Sequence, residues 1–360
     1  VTGRPTDKLR VGVIGCGDVA FRNYLPAIRQ IPDRFDLVAV CDQDKARAER
    51  AREEFGAGRC FFDSAELFAS KDVEAVIILT SIKSHALLAI AALEAGKHVY
   101  VEKVLAVDMA DADRVVNLVE QSGLVLACAP STILVSAHSH VKQLIASGDI
   151  GQVTAVHAIA AHGGPARWDV YSSDPTWFYQ RGAGPILDLA PYPVHVITQI
   201  LGPAKRVTAF SGLAVPEVMV TTNKMSGHTI QAQVDDTTPM IVDFGNATFA
   251  TIDVSYNMLS FRLPAMQFWG TLGALTAPRF SGDEVGMWHL GDKEWTVLHL
   301  PATPQDRLGV AAGLPHWADC VRQGRQPIMS ARHGRHVLEV LLSAQLSART
   351  GKAIELSTVF

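Results

Sequence analysis

Leu9-Arg10-Val11-Gly12-Val13-Ile14-Gly15-Cys16-Gly17-Asp18-Val19-Ala20, residues 9–20, is the stretch that decides the fold. Its first half is a short apolar run rich in β-branched residues, the composition of a strand. Its second half reads GxGxxA. Glycine-rich turns are common, but this one leaves a strand and opens a helix expected over residues 19–30, the setting a dinucleotide-binding turn requires. In that setting Gly15 permits the tight turn, Gly17 lets a pyrophosphate approach the backbone, and Ala20 keeps the helix close to the strand. Asp18 and Val19 stand at the helix start, where amides and dipole favour phosphate oxygens. A merely structural turn is the alternative.

Further along, strands are expected at 35–41, 75–79, 98–101 and 124–128, and helices at 44–55, 84–95 and 109–121. Each strand is almost continuously apolar, which implies a parallel sheet covered by helices on both faces. Asp42 follows the second strand, 42 − 17 = 25 residues beyond Gly17. A carboxylate there can accept hydrogen bonds from both ribose hydroxyls and would repel a 2′-phosphate, so NAD is favoured over NADP. The alternative is a cap for the next helix, a role better suited to Asp44. Glu102-Lys103-Val104 follows the strand at 98–101, and ligands of such sheets bind outside the carboxyl ends of the strands. Lys103 there can exchange a proton with a substrate if burial lowers its pKa; read alone, it is a solvated surface residue.

The pattern changes at Ala129-Pro130, dividing the chain into residues 1–129 and 130–360. A helix at 137–147 precedes strand-like stretches at 153–160, 206–212, 229–234, 239–244, 247–256 and 266–271, several alternating apolar and polar residues. That alternation suits a sheet with one wetter face. A last helix spans 333–349, and its packing back on the first domain is an option. The expected fold class is α/β: an N-terminal Rossmann doubly wound parallel sheet, then an α+β domain with a large open-faced, mostly antiparallel sheet. Within Gly182–Tyr192, Asp188 and Tyr192 are four apart and would share one helix face, where they could flank a hydroxyl being oxidised. A capping Asp and a core Tyr fit the spacing equally well. Trp168, Asp174, Trp177, Phe178 and Tyr179 offer aromatic faces and acids suited to a pyranose, or else a packed loop. His162 is a candidate substrate contact.

Composition narrows the partners. The 360 residues carry a formal net charge of −4, with 48% hydrophobic and 19% charged residues. There is no basic excess for nucleic acid, and no apolar run of the roughly 18 residues a membrane span needs. The polar start does not read as a secretory signal. Cys16, Cys41, Cys60, Cys128 and Cys320 are scattered, which suits a reducing cytoplasm without disulfides. His138 and His140 are two apart, and neither CxxC nor HExxH occurs, so no metal is expected.

The strand-GxGxxA, Asp42, Ala92-Leu93-Glu94-Ala95-Gly96-Lys97-His98-Val99-Tyr100-Val101-Glu102-Lys103, Gly148-Asp149-Ile150-Gly151, the Gly182–Tyr192 stretch and Phe268-Trp269-Gly270-Thr271-Leu272-Gly273 together resemble the glucose–fructose oxidoreductase/inositol dehydrogenase/rhizopine-catabolism (Gfo/Idh/MocA) family. The resemblance implies NAD(P)-dependent oxidation or reduction of sugars, inositols and related polyols, and a homodimer or homotetramer formed through the open sheet. It places the proton relay on Lys103, the substrate motif on Asp188 and Tyr192, and a cofactor-side segment on Thr80 to His85, with Glu102 beside Lys103. Four positions depart from the family pattern. Val104 replaces a Pro, the segment from Thr80 lacks the family Asn, Ala190 replaces a Gly, and His195 replaces an Asp. The rival readings are a non-catalytic dinucleotide-bound regulator and an enzyme that retains NAD while cleaving a glycosidic bond.

Overall fold

A computed structural model describes residues 8–279 and 282–360. The chain divides into two units, the first running to Ser131 and including 308–335, the second comprising 132–307 and 336–360.

In the first unit, β1 (Leu9–Ile14), β2 (Phe35–Cys41), β3 (Arg59–Phe61), β4 (Ala75–Ile78), β5 (His98–Val101) and β6 (Leu126–Cys128) form a parallel sheet in the order β3-β2-β1-β4-β5-β6. The order reverses at β1, which places a crevice beyond the carboxyl ends of β1 and β4. The connections are α1 (Leu25–Gln30), α2 (Lys45–Phe55), α3 (Ser64–Ala69), α4 (His85–Glu94) and α5 (Met109–Ser122). β1 and β4 are buried almost throughout, as a sheet covered on both faces demands. The first helix differs from the uniform helix expected at 19–30. Ala20–Tyr24 winds as a wider π-helical turn, and α1 takes over at Leu25, with Pro26 in its first turn. Pro26 has no amide hydrogen to continue an α-helical ladder begun at residue 20. β3 and α3 carry no strong sequence signal, being three and six residues long.

A later segment completes this unit. α9 (Gly313–Gln323) buries Trp317 against Phe35 (ring centroids 6.2 Å, stacked) and Tyr100 (5.6 Å, edge-on). The Cys128 amide donates to the Met329 carbonyl at 2.8 Å. α10 (Ala331–Thr350) follows.

The second unit is built on β7 (Val153–Ala161), β8 (Arg206–Ala209), β11 (Thr237–Gly245), β12 (Thr248–Ser255), β13 (Met266–Gly270), β14 (Gly273–Ala277), β15 (Glu284–His289), β16 (Thr296–His299) and β17 (Ile354–Glu355). They lie in the order β16-β15-β14-β13-β7-β12-β11-β8-β17, antiparallel except for β7 beside β12. β9 (Glu217–Met219) and β10 (Thr229–Gln231) pair separately. α6 (Ser136–Ala146), α7 (Pro185–Asp188) and α8 (Pro191–Leu201) accompany the large sheet. Along β11 and β12, Met240, Val242, Ala250, Ile252 and Val254 are buried, while the alternate residues Ile241 and Phe249 are 47% and 44% exposed. One face is therefore packed and the other open. The hairpin between β11 and β12 turns at Gly245, Asn246 and Ala247, all at positive φ.

Candidate active site

Candidate site residues lie in both units. In the first, Gly15 has φ +92°, and a Cβ on it would lie 2.8 Å from the Leu79 carbonyl carbon and 2.9 Å from the Thr80 amide nitrogen. Only glycine fits there. At Gly17, by contrast, a Cβ would meet nothing within 4 Å. Packing within the protein does not require that glycine, whereas close approach of a diphosphate does. The residues present thus fit a dinucleotide.

Asp42 holds two backbone amides. Its Oδ2 accepts from the Cys16 amide at 2.8 Å and its Oδ1 from the Asp44 amide at 2.9 Å, tying the glycine turn to the start of α2. Each oxygen keeps a second lone pair that a ribose hydroxyl could use. The cap of α2 itself is Asp44, whose carboxylate accepts from the Arg47 amide. Asp18 is drawn to Arg22 on its own helix at 2.5 Å. Val19 leads into the π-helical turn, and Ala20 is fully buried.

The segment carrying Lys103 is held from two sides. Buried Glu102 accepts the Tyr24 hydroxyl at 2.6 Å on Oε1 and the Lys103 amide at 2.9 Å on Oε2. Burial, then the Glu102 charge, pushes the Tyr24 phenol well above its ordinary value, so it stays a donor. His85 is also buried, with Nδ1 2.8 Å from the Val104 carbonyl and Nε2 3.0 Å from the Thr80 carbonyl. Burial holds this ring neutral by lowering its pKa, and a neutral imidazole donates to one of the two carbonyls at a time. His85 therefore links the end of β4 to the Lys103 turn. The Lys103–Val104 peptide is cis, although the family's Pro is absent. Lys103 itself is half-buried.

In the second unit, Asp188 and Tyr192 do not sit on one continuous helix as their spacing suggested. Asp188 ends α7 and Tyr192 lies in the first turn of α8. Pro191 and Pro193 lack the amides that would continue the ladder. Asp188 is buried, and its Oδ2 accepts the Tyr256 hydroxyl at 2.9 Å. Burial and the Asp188 charge push the Tyr256 phenol well up, which keeps it protonated as the donor. Nothing in the sequence distinguishes Tyr256, a lone tyrosine at the end of an alternating stretch, from a core aromatic.

Tyr256 also joins the aromatic residues. His162 stacks between Tyr256 (5.6 Å, 21°) and Trp168 (6.0 Å, 29°). Its Nδ1 accepts the Gly164 amide at 2.8 Å, so in the neutral ring Nε2 carries the hydrogen. Trp168 carries the column on to Tyr171 (6.3 Å, 10°) and keeps 41% of its surface exposed. Tyr179 is buried against Tyr256 (5.5 Å), and its oxygen accepts the Ala166 amide at 3.1 Å. Burial pushes that phenol up to about 12. Trp177 and Phe178 stack on each other, and Asp174 caps the turn at Thr176. His162, Trp168, Tyr179 and Asp188 thus converge through Tyr256. Tyr192 lines a small neighbouring cavity with Ile159, Leu189, Met266 and Arg279. Among the described residues no His, Cys, Asp and Glu side chains cluster as metal ligands, and no helix is long and apolar enough to cross a membrane.

The comparisons with known proteins agree on both units. Residues 9–129 match the "Oxidoreductase family, NAD-binding Rossmann fold", and residues 138–276 match the "GFO/IDH/MocA C-terminal domain". A dTDP-3,4-didehydro-2,6-dideoxy-alpha-D-glucose 3-reductase of Streptomyces violaceoruber is 35% identical over 55% of this chain, a match spanning 56% of that protein. D-apiose dehydrogenase of Paraburkholderia graminis is 26% identical over 98% of this chain and 91% of its own length. Levoglucosan dehydrogenase in complex with NADH and levoglucosan, at 19% identity, shares the fold with a TM-score of 0.84 over 98% of this chain and 100% of that one. With its NAD(P)-binding Rossmann sheet, its large mixed sheet and its kinship to sugar oxidoreductases, the chain belongs to the Gfo/Idh/MocA oxidoreductase family.

Proposed function

We propose that the protein is an NAD-dependent dehydrogenase acting on a secondary alcohol, or the corresponding ketone, of a sugar, sugar derivative or inositol. The observation that carries this reading is the Trp168–His162–Tyr256 column running into buried Asp188. The partly exposed Trp168 indole suits the apolar C–H groups of a pyranose, and a carboxylate further along the column suits its hydroxyls. When bound, the nicotinamide ring supplies or accepts the hydride. The chain's residues do the rest: Asp188 orients the hydroxyl, His162 offers its Nε2 hydrogen, and Lys103 and Tyr192 share the proton that accompanies the hydride. Asp42 favours NAD over NADP by opposing a 2′-phosphate. A homodimer or homotetramer in the cytoplasm, closing over Ile241 and Phe249 on the open sheet face, completes the reading.

Following NADH by its near-ultraviolet absorbance across a panel of sugars and polyols tests the proposal. Lys103→Met should abolish turnover and leave NAD binding largely intact; unchanged turnover refutes the role of Lys103. A bound-NAD regulator would show no NADH formation with any polyol. A glycoside-cleaving enzyme would release sugar without net NADH.

A further inference from the structure

Arg279 belongs to none of the motifs above, yet it lines the same cavity as Tyr192. It follows β14, and its position is set one residue earlier. The fully buried His138 on α6 has its Nε2 3.0 Å from the Pro278 carbonyl. Burial pushes His138 down to about 4, so the neutral ring donates Nε2–H to that carbonyl. From there the Arg279 side chain reaches the cavity that Tyr192 also lines, and its Nε and Nη2 are removed from solvent. The remaining walls of this cavity, Ile159, Ala160, Leu189, Pro193, Ala265 and Met266, are apolar. Burial lowers the guanidinium's pKa, and Tyr192 and Asp188 are the groups whose charges work against that. Elsewhere around α8, Lys142 on α6 turns to Gln199 at 3.5 Å, and His195 faces His336. Arg279 is thus a charged group that acts on Tyr192, with Asp188 acting on Arg279 as well.

We propose that Arg279 is a positioning residue of the reaction, whose half-buried guanidinium fixes Tyr192 and serves as its counter-ion when the phenol gives up a proton. In the direction of reduction, the carbonyl carbon gains the hydride and the Tyr192 O–H bond breaks. Its proton goes to the substrate oxygen, leaving an alcohol and a phenolate. In low-polarity surroundings an anion so formed needs a nearby cation. Asp188 cannot supply that charge, being itself an acceptor held by Tyr256. The inference rests on the dehydrogenase reading for its purpose but not for its test.

The test is a titration of the protein labelled at tyrosine Cζ, followed by carbon NMR without substrate or dinucleotide. Tyr24, Tyr100, Tyr179 and Tyr256 are all pushed up by burial. The Tyr192 signal is identified by its loss in Tyr192→Phe. Arg279→Met should move the Tyr192 midpoint up by about one pH unit or more, a tenfold change in its ionisation. Arg279→Lys, which keeps the charge, should move it by less than half as much. An unchanged midpoint in Arg279→Met overturns the proposal. Should that variant fail to fold, the wild-type protein still decides, because Tyr192 titrating no lower than Tyr179 also overturns it. Absence of turnover on every polyol would remove the dehydrogenase reading and leave this titration untouched.

Discussion

Replacing Tyr256 by Phe removes one oxygen atom and should weaken both the fold and the chemistry. The phenylalanine ring still fills the column, so the contacts to His162 at 5.6 Å and Tyr179 at 5.5 Å persist. What disappears is the 2.9 Å hydrogen bond to Asp188 Oδ2. Both partners are buried, so water cannot readily replace the donor. A hydrogen bond to a charged group contributes about 1.5–3 kcal/mol. The urea unfolding free energy of Tyr256→Phe should accordingly fall by ~1.5–3 kcal/mol, with little change in slope. A double-mutant cycle with Asp188→Asn isolates the pair: once Asp188 is neutral, Tyr256→Phe should cost much less. Turnover should drop by roughly 10- to 100-fold if the same energy orients Asp188 during reaction. Additivity within ~0.5 kcal/mol across the cycle would refute the coupling.

Four further outcomes follow from the structure. Gly15→Ala should destabilise the first unit by roughly 1–3 kcal/mol, because its φ is +92° and its Cβ would strike backbone at 2.8 Å. Gly17→Ala should melt like the wild type yet lose at least ~10-fold in NAD affinity by calorimetry, since only the ligand needs that space. Asp42→Asn should lower the ratio of NAD to NADP affinity by ~10-fold or more, as the charge opposing a 2′-phosphate is gone. Acid should weaken the second unit through two buried neutral histidines. His138 is pushed down to about 4 and His195 to about 3, both by burial first. Below pH 6.5 the unfolded chain takes up protons that the folded one refuses, so stability is full above that pH and is lost as pH falls toward these values. At pH 5 the loss is ~2 kcal/mol for each ring; equal urea midpoints at pH 7 and pH 5 would contradict it.

The parallel sheet was legible because its strands are nearly unbroken apolar runs punctuated by glycines, and Gly15 and Gly17 announce the turn. The short β3, the strand β17 and the helix α9 were not, because two or three residues show no periodicity and the helix carries mixed residues. In the candidate site, Asp42 and Lys103 stand at predictable places after strands. Tyr256 and Arg279 do not: one looks like any core aromatic, the other like any surface cation, and only folding reveals what each one faces. The relation expected between Asp188 and Tyr192 failed for a local reason, the two prolines that interrupt the helix.

The inclusion of residues 308–335 in the first unit has a consequence for biosynthesis. Phe35 and Tyr100 emerge from the ribosome long before Trp317, the ring that covers them both. The nascent nucleotide-binding half must therefore persist with an unsealed apolar flank while all of the second sheet but its last strand, β17, is being translated. During that interval it is a natural client for a chaperone that grips exposed aromatic surface.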